Sequence, residues 1–277
     1  MKQTVKTIAV VFIGILAPFI LQAQSVSNFT VNLGSTGKYV RVGENFTVQG
    51  DNAQRYFVYH FSTDFMPAPP PMVENANTGN PMIVDSTFEV KANQPIEIKT
   101  TGLYFIQTDT TSREGVGFTA MPSDFPKYKK MRNIYPPMVY ISTQNEMTSF
   151  KKGNRPREAF ENFWINVAGS PDNAKRLIKL YFERVSEANT QFSEYKEGWK
   201  TDRGIVYIIF GSPDEVSNID GGIRWSYDSN LNHGQVEFDF YEDINQFTGT
   251  HYVLKRSYDY KRVWFDTVKK WRNGTIQ

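Results

Sequence analysis

The run Gly198-Trp199-Lys200-Thr201-Asp202-Arg203-Gly204 leads straight into Ile205-Val206-Tyr207-Ile208-Ile209-Phe210 and then Gly211-Ser212-Pro213-Asp214, and it constrains the fold more than any other stretch of the chain. Glycine tolerates a left-handed backbone that other residues resist, so Gly198 reads as the residue that ends a preceding helix. Two polar residues then turn the chain, Gly204 admits it to an apolar strand over 205–210, and Gly211, Pro213 and Asp214 belong to the turn that stops that strand. Trp199 should fold back onto the last helical turns, with Phe192 and Tyr195 as its aromatic neighbours. Thr201 and Asp202 can satisfy backbone donors in the turn, and Asp202 can also pair with Arg203 or with the Trp199 indole nitrogen.

The beginning of the chain gives an address. Lys2 and Lys6 precede an almost wholly apolar run over 8–21, followed by Gln22-Ala23-Gln24. This is the pattern of a secretory signal peptide over 1–23, and the run is shorter than the roughly 20 residues of a membrane-spanning helix. No cysteine occurs anywhere, so a lipid-modified N-terminal cysteine is ruled out and an exported domain must hold together through its core. No later segment is apolar enough to span a bilayer. Removing 1–23 takes away two of the 31 basic residues and leaves a formally neutral chain with 29 acidic ones. Nucleic-acid binding needs a clustered basic excess, and the short run Lys127, Lys129, Lys130 and Arg132 reads instead as a solvated linker face.

The pattern then divides in two. Period-two strands are expected at 28–33, 46–49, 56–61, 87–90, 96–99, 103–108 and 116–120, which predicts a β-sandwich over 24–121. Immunoglobulin-like packing describes it best, although this half has neither the disulfide nor the buried tryptophan of such domains. Its loop Phe65-Met66-Pro67-Ala68-Pro69-Pro70-Pro71-Met72 favours the extended polyproline conformation. Pro67, Pro69, Pro70, Pro71 and Met72 could form a stiff edge that docks on a partner, while a rigid loop packed on its own domain is the plainer reading. A proline-rich connector spans 122–152, with a possible strand at 138–141. From 153 to 277 the period becomes helical and all five tryptophans appear. Helices are expected from Pro156 to Ala168, from Pro171, capped by Ser170, to about Lys196, and from Tyr260 to Arg272. Strands at 205–210, 223–227, 236–241 and 252–256 complete an α+β domain, a mostly antiparallel sheet packed with helices.

Gly198-Trp199-Lys200-Thr201-Asp202, followed by Arg203-Gly204, the apolar run and Gly211-Ser212-Pro213-Asp214-Glu215, resembles the GWxTD domain family. The resemblance extends back through Phe163-Trp164 and Ala188-Asn189-Thr190-Gln191-Phe192-Ser193 and covers most of 150–260. It implies an exported bacterial envelope protein, and it brings no activity, cofactor or catalytic residue with it.

The chemical inventory is thin. His60, His233 and His251 are scattered without ligand spacing and read as surface or packing residues, so no metal site, cofactor or catalytic residue is assigned. Ser212 follows an apolar run but lacks the trailing glycine of a hydrolase elbow. Asp202 and Asp214 stand at opposite ends of the expected strand, while Asp214, Glu215 and Asp220 could converge on a weak Ca²⁺ site. Among Trp225, Tyr227, Phe238, Phe240 and Tyr241, alternation sends most of the rings to the core. The expected function is therefore a non-enzymatic interaction or scaffold module in the periplasm or at the cell surface, its partner an envelope protein or polymer. The alternative is a carboxylate-dependent hydrolase of an envelope polymer using Asp202, Asp214 and Glu215, with Arg203 stabilising developing charge.

Overall fold

A computed structural model describes residues 28–62, 64–74, 82–152, 155–228 and 234–276. The signal-peptide segment 1–23 and His233 lie outside the described residues. The architecture is α+β, with three sheets and six α-helices among the described residues.

The alternating N-terminal segments become eight strands. Strands β1 (Thr30–Asn32), β3 (Asn45–Gln49) and β6 (Pro95–Glu97) form an antiparallel sheet in the order β1-β3-β6. Strands β2 (Tyr39–Arg41), β4 (Tyr56–Phe61), β5 (Ser86–Val90), β7 (Gly102–Gln107) and β8 (Val116–Met121) form a second sheet in the order β2-β8-β7-β4-β5. Phe46 and Val48 of the first sheet share one core with Val58, Tyr104, Ile106 and Phe118 of the second. β2, which pairs parallel with β8, was not among the expected strands. At three residues it is too short for its alternation to stand out.

The connector contains no strand. Apolar residues 138–141 fall in and beside a 3₁₀ helix (Pro136–Tyr140) that follows a short helix, α1 (Met131–Ile134). Two consecutive prolines at the start of that segment lack the N–H groups a ladder requires, yet they suit the first turn of a helix. A further helix, α2 (Gln144–Lys152), occupies the end of the connector.

Helices α3 (Pro156–Ala168) and α4 (Pro171–Phe192) follow the expected pattern, with the Ser170 side chain accepting from the Asn173 N–H at the start of α4. Leu177, Tyr181, Val185, Ala188 and Phe192 form its buried stripe. The largest departure comes next. Residues 205–210 are helical, inside α5 (Asp202–Phe210), and Ile205, Val206, Ile208 and Ile209 have no exposed surface. An element apolar on every side must be surrounded, and α5 packs against α4, against β12 (Tyr252–Leu254) and against α6 (Tyr260–Arg272). Strands β9 (Glu215–Ile219), β10 (Gly222–Tyr227), β11 (Val236–Glu242) and β12 make an antiparallel sheet in the order β12-β11-β10-β9.

Two buried-edge carboxylates give the fold a pH response. The Arg224 guanidinium beside Asp239 holds that carboxyl below its usual value. Burial would raise Glu146, but hydrogen bonds from Arg272 and Thr143 outweigh it and hold the carboxyl low. A depressed carboxylate stabilises the fold above its unfolded pKa of roughly 4, and the contribution is lost as pH falls through the lower folded value. Thermal melts should therefore show a midpoint steady between pH 7 and 5 that drops below pH 4. Glu146→Gln should reduce that drop.

Candidate functional site

Residues 193–204 are built around close backbone approach. Helix α4 stops at Phe192, with Ser193 extended, so Gly198 does not end it; Gly198 instead opens a 3₁₀ turn (Gly198–Lys200) and has no positive φ. A Cβ at Gly198 would stand 1.9 Å from the Ala188 carbonyl oxygen, and one at Gly204 would stand 1.8 Å from the Gly198 oxygen. Both glycines are required by space. Only Gly211, at φ 90° just after α5, serves through its backbone conformation.

Thr201 is the N-cap of α5, its hydroxyl accepting from the Gly204 N–H at 3.1 Å and donating to the Gly198 oxygen at 2.8 Å. Thr201→Ala should cost about 1–2 kcal/mol, read as a lower denaturation midpoint, and Thr201→Ser should restore most of it. Trp199 is buried away from Phe192 and Tyr195. Its backbone N–H donates to Asn189 Oδ1 at 3.1 Å, and its carbonyl accepts from the Tyr140 hydroxyl at 3.2 Å. Burial pushes the Tyr128 and Tyr140 hydroxyls well above their ordinary pKa.

The charged residues form three groups. Asp202 pairs neither with Arg203 nor with the indole; it accepts from the Leu254 N–H of β12 at 2.9 Å and from Arg256 at 2.6 Å. Lys200 is 5% exposed and binds Glu197 at 2.8 Å and Asp64 at 2.6 Å. Burial would lower that ammonium, yet the two carboxylates hold it above its usual value. The third group centres on Glu194, whose side chain is 2% exposed. It accepts from Arg203 at 3.0 Å and meets His251 Nδ1 at 2.6 Å, while Arg203 lies over the Tyr252 ring at 4.2 Å with its Nε buried and unpartnered. Thr119 of β8 donates to the Glu194 carbonyl, and burial together with Arg203 lowers the Lys38 ammonium, so this group sits where the N-terminal strands meet the helices.

Residues 102–273 match the family model for the GWxTD domain. The chain belongs to the GWxTD domain family. Compared with curated proteins and with solved structures, it finds no match.

The GWxTD match begins at Gly102, the first residue of β7, well before the 150–260 span that the resemblance suggested. The proline loop packs both on its own strands, where Phe65 joins the cluster of Phe61, Leu103 and Phe105, and on the GWxTD signature. Ala68 N–H donates to the Lys200 oxygen at 2.8 Å, Arg256 donates to the Pro69 oxygen at 3.2 Å, and Ser257 N–H donates to the Pro71 oxygen at 3.2 Å. Pro71 is buried, while Pro67, Pro70 and Met72 are partly so.

Beyond α5, Pro213 is half-buried and Asp214 is exposed, its Oδ2 accepting from the Asp228 N–H at 2.7 Å. Asp214 and Asp220 bracket β9 from opposite ends, so Asp214, Glu215 and Asp220 do not converge, and no acidic or histidine group that could hold a metal occurs among the described residues. Trp225, Tyr227, Phe238 and Phe240 are buried, and Tyr241 is the exposed ring of that set. His60 packs on Tyr104 with its Nε2 at 3.1 Å from the Thr101 oxygen. His251 is the residue that sequence reasoning missed, because its partner lies 57 positions earlier and no local spacing connects them.

Proposed function

We propose that this GWxTD protein is exported to the bacterial envelope, in the periplasm or at the surface, and serves there as a non-enzymatic interaction or scaffold module. Its N-terminal 24–121 is read as an immunoglobulin-like sandwich, 122–152 as a connector and 153–277 as the GWxTD domain. The observation that carries this reading is that the charged signature residues find their countercharges within the chain: Asp202 with Arg256, Lys200 with Glu197 and Asp64, Arg203 with Glu194. Side chains committed in this way hold elements of the fold together. The leader at 1–23 supports export.

Affinity capture of the tagged full-length chain from envelope extracts, read by mass spectrometry, tests the proposal. A reproducible partner is expected; repeated capture of none, together with no binding on a glycan array, overturns it. One observation favours the hydrolase alternative: the 2.6 Å contact of His251 with Glu194 beside Arg203 is a pairing that acid–base chemistry can use. Turnover of purified envelope polysaccharide or peptidoglycan that His251→Gln abolishes would establish it.

A further inference from the structure

A groove of about 400 Å³ lies between α2 and α3, remote from the signature. That volume is within the range of ligand sites. Phe150 and Phe163 form its floor, edge to face with centroids 5.7 Å apart. Arg272 closes one side, its guanidinium 5.7 Å from the Phe163 ring centroid and fixed by two 3.0 Å contacts to Glu146 and one of 2.8 Å to the Ile141 oxygen. The walls are neutral and polar: Asn145 and Ser149 on α2, Asn162 and Asn166 on α3. The Ser149 hydroxyl donates to the Asn145 carbonyl, but the three asparagine amides make no hydrogen bond to any described residue.

A side-chain amide offers one acceptor and two donors in a plane, the complement of the N–H and C=O that one residue of an extended chain turns to the same side. Asn162 and Asn166 stand four residues apart on α3, a rise of about 6 Å. An extended chain turns the N–H and C=O of every second residue to one side, about 6.6 Å apart. The two amides are therefore spaced to hold successive rungs of an extended main chain. Charge points the same way. Glu146 neutralises Arg272, so the groove does not call for an anion, and neutral walls suit an uncharged segment. Sugar binding ordinarily adds stacking on an open aromatic face, yet Phe150 and Phe163 are only 1% and 5% exposed.

We propose that this groove binds an extended, uncharged stretch of polypeptide, Asn162 and Asn166 each hydrogen-bonding the N–H and C=O of one residue and Asn145 holding it from the opposite wall. Recognition of this kind takes affinity from main-chain hydrogen bonds and leaves selectivity to the side chains that face the floor. The assignment rests on the interaction-module reading and names the ligand class of one surface.

The test uses the full chain without residues 1–23, labelled with ¹⁵N, and an acetylated, amidated octapeptide of alternating valine and serine. Saturable shifts of the Asn145, Asn162 and Asn166 side-chain amide signals are expected. The same peptide N-methylated at alternate residues should bind at least tenfold more weakly, as should Asn162→Ala/Asn166→Ala, whose two exposed substitutions should leave the melting point unchanged. Unshifted amide signals, or equal affinity of the double variant, overturn the proposal. Binding of chitin oligosaccharides in place of the peptide also overturns it. A partner captured through another surface, with no peptide bound here, sinks this assignment and leaves the interaction-module reading standing; peptide binding here with no partner captured keeps the groove and weakens that reading.

Discussion

Gly204→Ala should lower the melting point of the chain by about 6–12 °C, equivalent to about 3 kcal/mol, or prevent folding of the helical half altogether. The added methyl carbon would sit 1.8 Å from the Gly198 oxygen, and that oxygen cannot move freely because it also accepts from the Thr201 hydroxyl. Gly198→Ala should be comparably severe, since its methyl carbon meets the Ala188 carbonyl at 1.9 Å inside a long helix. Gly169 provides the control. It has φ 72° after α3 with nothing within 4 Å of its added carbon, so Gly169→Ala should cost only about 1–2 kcal/mol from backbone strain. A Gly204→Ala melt milder than that of Gly169→Ala would refute the close-approach account.

Glu194→Ala should be nearly as damaging, at about 3–5 kcal/mol, because it strands the guanidinium of Arg203 in a site that solvent barely reaches. Removing both charges at once is a different experiment. Glu194→Met combined with Arg203→Met deletes the desolvation cost along with the attraction, and it should recover most of the loss. Urea titrations of the two single variants and the double one measure the coupling directly. Additive losses would mean that the pair is not acting as a unit.

The legible parts of this fold are those where local pattern and tertiary demand agree. β4 and the final helix emerge at their expected limits because alternation in one and three-to-four spacing in the other are both unambiguous. The six apolar residues 205–210 carry no period, and such a run is compatible with a buried strand or a fully enclosed helix. Its flanking glycines tipped the reading to strand. The deciding signal was Thr201-Asp202, a strong N-cap followed by an acidic first position, which marks a helix start. Asp202–Arg256, Glu194–His251 and the seat of the proline loop were hidden for another reason: each joins residues more than 50 positions apart, and a single sequence carries no record of such pairings.

The start of the family match at Gly102 has a practical meaning for anyone trimming the gene. β4 lies outside the match, yet it pairs with β7 along the register from Phe57↔Gln107 to Phe61↔Leu103, and Phe247 from the C-terminal half wedges against Phe61 and Phe105 at that same seam. A polypeptide started at 102 would bare the unpaired flank of β7, a template on which copies can stack. The unit that homology delimits thus cuts through a sheet that the whole chain completes.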